Sequence, residues 1–144
     1  MLRKLFSRSP QPAVPVWPND PKQAIEAVLE QLAAGRNQSA VFSVDEARNY
    51  YAQVAAPTPV TIGALVAEIV GNEYLKPEDQ VGESQLDRLR QTGWALGDSG
   101  NWSREYAEWK DTWARRTVAD DIVRALDGFG LPAGYKFARI ETLN

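Results

Sequence analysis

Five carboxylates, Glu105, Glu108, Asp111, Asp120 and Asp121, fall in one short stretch of the chain. Paired acids can do acid/base work, as lysine and tyrosine also can, and oxygen-rich clusters hold hard cations. Adjacent residues on a helix do not face one another, however, and acids on helices are usually solvated. The cluster is therefore read as a solvated surface. The chain has no histidine and no cysteine, which removes the usual general base near neutral pH, the Ser-His and Cys-His nucleophile pairs and thiolate zinc sites. No loop carries the Asp-x-Asp-x-Asp-Gly spacing of a calcium hand. No catalytic, cofactor-binding or metal-ligating residue is assigned, no cofactor is expected, and the expectation is a protein that is not an enzyme. A hydrolase or transferase run on carboxylates alone stays open as the alternative, and it requires two acids converging in a pocket.

The aromatic residues offer a different chemistry. Residues 92–109, TGWALGDSGNWSREYAEW, set three tryptophans and a tyrosine around a Gly-Asp-Ser-Gly-Asn loop, and Trp113 follows. Such rings can stack on a peptide, a sugar or a base. Burying one tryptophan removes about 150–250 Å² from water, worth roughly 4–6 kcal/mol, so the core competes for them. Trp94 and Trp102 are read as core. Trp109 and Trp113 fall beside charged residues; the core reading stays open for both, and with Tyr106 they are the aromatics left to face out. Tyr50 and Tyr51 are adjacent, so on a strand one of them points away from the core, and Tyr51 joins the candidate partner-binding set.

Charge and hydropathy bound the partners. The net charge is −3 over 144 residues, with bases scattered among acids, so no nucleic-acid footprint is present. No window reaches the ~20 apolar residues of a membrane span. Arg3, Lys4 and Arg8 beside Leu2, Leu5 and Phe6 make a basic foot too short for stable membrane insertion, although a membrane-associated adaptor is a further alternative. A cysteine-free chain without a secretory signal is expected in the cytoplasm. Residues 1–19 read as a flexible segment, basic and then proline-rich, with Trp17 placed to pin it to the body; residues 20–144 read as a single α+β domain.

The elements that position these residues follow from period and punctuation. Asp20 caps a helix that Pro21 opens, Gln23 stands where a capping box needs it, and Gly35 ends the run. Ile25, Val28, Leu29 and Leu32 form its apolar stripe, worth roughly 6–12 kcal/mol when buried. Two strands, 40–44 and 49–55, flank a polar turn at 45–48. Residues 60–70 match a helix and a buried strand about equally well. Ser84 is expected to open a second helix with Asp87 at its third position, ending at Gly93. Strands 94–97 and 102–107 turn at Asp98–Asn101. A helix at about 112–127 places Val118, Ile122, Ala125, Leu126 and Phe129 on one face, with Gly128 and Gly130 to stop it and Pro132 beyond. The tail adds a strand or lies across the surface. Antiparallel strands framed by helices make an α+β domain.

Leu89, Thr92-Gly93-Trp94, Asn101-Trp102, Val118-Ala119 and Leu126 through Phe129-Gly130 together resemble an actinobacterial group similar to YbjN and type III secretion chaperones, the TY-Chap group. Tyr51 through Val54 and Ala67 through Leu75 fit the same pattern, so the likeness covers about residues 40 to 131 in pieces. Thr92 stands where that pattern has an apolar residue, and the loop after Trp94 lacks its proline. The resemblance implies the order α-β-β-β-α-β-β-α, an antiparallel sheet with helices packed on it, which makes 60–70 contain a third strand. It also implies chaperone-like binding of a peptide or partner-protein segment, and chaperones of this shape are often homodimers. It brings no catalytic or cofactor residues.

Overall fold

In the computed structural model, which describes residues 16–59 and 63–144, Asp20 accepts the main-chain N–H of Gln23 at 3.0 Å and Pro21 takes the first helical turn. Helix α1 (Pro21–Ala33) begins there, one orphan donor satisfied and φ preset by the proline ring. Ile25, Val28, Leu29 and Leu32 are fully buried, and Gly35 follows with φ +78, a conformation that suits glycine. The basic foot at Arg3, Lys4 and Arg8, and most of the proline-rich stretch, lie outside the described residues. Trp17 is half-buried against the core.

Strands β1 (Ser39–Asp45), β2 (Tyr50–Ala55), β3 (Leu65–Ile69), β4 (Ala95–Leu96), β5 (Trp102–Tyr106) and β6 (Arg139–Leu143) form one antiparallel sheet in the order β4-β5-β3-β2-β1-β6. The segment that reads equally as helix and strand forms a strand over Leu65–Ile69, which is β3; residues 60–62 lie outside the described residues. The tail resolves as β6, which pairs Phe42 with Ile140 and Ser43 with Arg139 and makes one edge of the sheet.

Helix α2 (Glu83–Gln91) starts earlier than its sequence signal. Gly82 is the N-cap, without a side-chain cap. The Gly82 carbonyl instead accepts the N–H groups of Gln85 and Leu86, both at 3.1 Å. Ser84 therefore sits inside the first turn, and Asp87 pairs with Arg90 at 2.6 Å instead of completing a capping box. Helix α3 (Thr112–Asp127) is capped by Asp111, which accepts from the Ala114 N–H at 2.8 Å.

Ala40 and Phe42, Ala52 and Val54, and Leu65, Ala67 and Ile69 are buried at alternate positions of the three central strands and share one core with α1 and α3. Period-2 alternation sends the intervening residues to the other face. Those residues, among them Val41, Tyr51, Gln53, Val66 and Glu68, are only half-buried, and that second face is where the sheet is open.

Candidate functional site

Register places one row of side chains straight across the open face. Glu141 on β6 opposes Val41 on β1, Val41 opposes Gln53 on β2, Gln53 opposes Glu68 on β3, and Glu68 opposes Ser103 on β5. A second row, two residues along, holds Leu143, Ser39, Ala55, Val66 and Glu105. Two hollows lie on this face. The first, about 280 Å³, includes Ser43, Asn49, Tyr51 and Arg139 in its wall. The second, about 200 Å³, is walled by Ala55, Val66, Glu68 and Leu143. Val41 and Gln53 line both, so the hollows form one trough along β1 and β2 with its waist at the first row.

A buried amide holds the wall of this trough. Asn101 is 5% exposed, and its Oδ1 accepts the Gly71 N–H at 3.0 Å. Its Nδ2 donates to Glu68 Oε1 at 3.0 Å and to the Tyr51 hydroxyl at 3.2 Å. Gln53 Nε2 donates to the same Glu68 oxygen at 2.9 Å. Both amide groups of Asn101 are thus used, as a buried side-chain amide requires. The close approach behind it depends on glycine: a Cβ built on Gly71 would stand 1.8 Å from the Gly100 carbonyl oxygen.

Electrostatics differ along the trough. Of the residues lining the first hollow, Arg139 pairs with Glu46 at 3.2 Å, and Asp45 pairs with Arg48 outside it at 2.7 Å; the hydrogen bond from Arg48 holds the Asp45 carboxyl below its ordinary value. Glu68, Glu105 and Glu141 make no ion pair among the described residues.

Of the four aromatic candidates, the structure brings Tyr51 alone to this face, half-buried in the first hollow. Trp113 is 76% exposed but stands on α3, in the helix layer. The outward placement expected of Tyr106 and Trp109 is corrected: they are 8% and 1% exposed. Tyr106 opposes Leu65 in the ladder, which turns its ring toward the helices, and its hydroxyl donates to Asp121 Oδ2 at 2.8 Å. Burial, with the hydrogen bond to Asp121, pushes that hydroxyl well above its ordinary pKa. Trp109 is one of the largest fully buried side chains.

The five sequence-clustered acids do not meet. Asp111 caps α3, Asp120 pairs with Lys22 at 2.8 Å, and Glu105 belongs to the open face. Asp121 corrects the solvated reading, since its side chain is 12% exposed and pairs with Arg104 at 3.3 Å. Among the described residues no group of three or more acids could hold a metal ion, and no described helix is long and apolar enough to cross a membrane.

Val41, Gln53, Glu68 and Asn101 are the site residues that sequence reasoning missed. The alternation over 39–55 marks the face carrying Val41 and Gln53, but the meeting of Asn101 with Gly71 and Glu68 spans 30 and 33 residues and leaves no local signal.

A family model described as T3SS (YopN, CesT) and YbjN peptide-binding chaperone 3 matches residues 22–132. No curated protein and no solved structure matches the chain.

Proposed function

The chain belongs to the TY-Chap3 family of peptide-binding chaperones, and from that premise we propose that it holds an extended segment of a partner protein, without catalysis, in the trough over β1 and β2. The observation that carries this reading is the pair of contiguous hollows sharing Val41 and Gln53 on the sheet face opposite the helix-packed core. A concave, half-apolar surface with a few convergent polar groups is the usual form of a binding site. An extended chain presents alternate side chains to it, which matches the two-residue spacing of the rows. Asn101 and Gln53 hold Glu68 in one orientation, so the wall is ordered before a ligand arrives, which lowers the entropy cost of binding. The action is proposed for the cytoplasm.

The test is a photo-crosslinking amino acid placed at Val41, on the trough floor, and separately at Thr117, on the exposed part of α3. Irradiation in native lysate should yield a defined set of protein adducts from position 41, lost when Gln53→Arg fills the waist. Equal capture from both positions, or capture indifferent to Gln53→Arg, refutes the reading.

A further inference from the structure

The trough has a charge that narrows its ligand. Glu141 and Glu68 stand at opposite ends of the row Glu141–Val41–Gln53–Glu68, three strand spacings or roughly 14 Å apart, and bracket the waist. Glu105 lies in the next row, opposite Val66. None of the three has an ion-pair partner among the described residues. Arg139 is the one base among the strand residues of this face, and Glu46 already neutralises it at 3.2 Å; Arg104, on β5, points to the helix side and pairs with Asp121. Asp45 is likewise satisfied by Arg48. The uncompensated charge of the open face is therefore negative and centred on the waist. Two residues along, Ala55, Val66 and Leu143 make the second hollow apolar.

Taking the peptide-binding reading above as its basis, we propose that the segment held in the trough is basic: a lysine or arginine between Glu68 and Glu141, with an apolar side chain two positions away in the hollow of Ala55, Val66 and Leu143. Opposite charge across an interface sets partner choice more than raw affinity. In an extended segment residues i and i+2 point the same way about 6.6 Å apart, the distance between the two rows. Glu68 keeps its Oε1 engaged by Gln53 and Asn101, which aims its carboxylate and leaves Oε2 for the ligand.

Two fluorescein-labelled octapeptides test this on the full chain by anisotropy: T-V-T-R-T-V-T-V and the same peptide with glutamate in place of arginine. At low ionic strength the arginine peptide should bind about tenfold tighter, as two partly exposed ion pairs allow. The preference should shrink in ~0.5 M salt. It should fall to about twofold in Glu68→Gln/Glu141→Gln, and already weaken in Glu141→Gln alone, whose site on an edge strand leaves the core untouched. The glutamate peptide should not lose affinity in either variant. Equal binding of the two peptides overturns the basic-ligand proposal and leaves peptide binding standing. Binding of neither overturns both. A second copy of the chain covering the face would also exclude both peptides, and would show as a dimer in sedimentation velocity that Gln53→Arg dissociates; that outcome equally overturns the proposal.

Discussion

The side-chain carbonyl of Asn101 accepts the main-chain N–H of Gly71 at 3.0 Å, joining the end of β3 to the turn before β5 across 30 residues of sequence. The same side chain then holds Glu68 and Tyr51 through its amide. Asn101→Ala leaves a buried N–H unpaired and frees the trough wall. The expected loss is about 2 kcal/mol, the desolvation cost of an unmatched buried group, read as a lower urea midpoint with unchanged m-value.

Gly71 and Gly82 should respond differently to the same change. At Gly71 an added Cβ meets main-chain atoms of Gly100, at 1.8 Å from O and 2.9 Å from C, and backbone cannot swing aside as a flexible side chain can. Gly71→Ala is expected to cost more than ~3 kcal/mol or to prevent folding. At Gly82 nothing lies within 4 Å, and Gly82→Ala should cost under about 1 kcal/mol. Thermal unfolding of the two variants checks the contrast.

The two outer tryptophans separate in the same way. Trp109 is 1% exposed and Trp113 is 76% exposed. Trp109→Ala should destabilise by about 3–5 kcal/mol through cavity formation, whereas Trp113→Ala should stay within about 0.5 kcal/mol. Equal effects in urea titrations would contradict the placement of the two rings.

Alkaline pH should expose the buried hydroxyls. Tyr106 is raised above the ordinary tyrosine value of 10.0 by burial and by the hydrogen bond to Asp121, and burial lifts Tyr135 to about 12. A raised native pKa means stability is fully present below pH 10 and is lost as pH climbs toward the native value, because the unfolded chain releases its protons first. Urea midpoints should be level up to about pH 9 and fall above pH 10. Tyr106→Phe removes one titrating group, so its slope should be shallower by up to about 1.4 kcal/mol per pH unit. An unchanged slope would show that Tyr106 ionises normally in the native state.

Much of the scaffold was legible because its signals are local. Asp20-Pro21, the stripe from Ile25 to Leu32, the turn between β1 and β2, and the bounds of α3 each follow from caps or periods within a dozen residues. Val66 and its neighbours were not, since a short apolar run has no period that separates strand from helix; the family likeness indicated the strand. The facing of Tyr106 and Trp109 depends on register and on what α3 covers, and neither is written locally. Adjacency of Tyr50 and Tyr51 was enough to put one of them outside: Tyr50 is buried in the core, and Tyr51 is the half-buried one on the open face. The polar wall was illegible as a unit, because Gln53, Glu68 and Asn101 meet only after the sheet has formed.

Nuclear magnetic resonance on the isotope-labelled full chain, titrated with T-V-T-R-T-V-T-V, tests most directly the claim that the open sheet face is the binding surface. The account predicts that the largest shift changes fall on Val41, Tyr51, Gln53 and Ala55, with Trp113 and the outer surface of α3 unmoved. Largest changes at Trp113 and along α3, or no change at any residue at millimolar peptide, would contradict it.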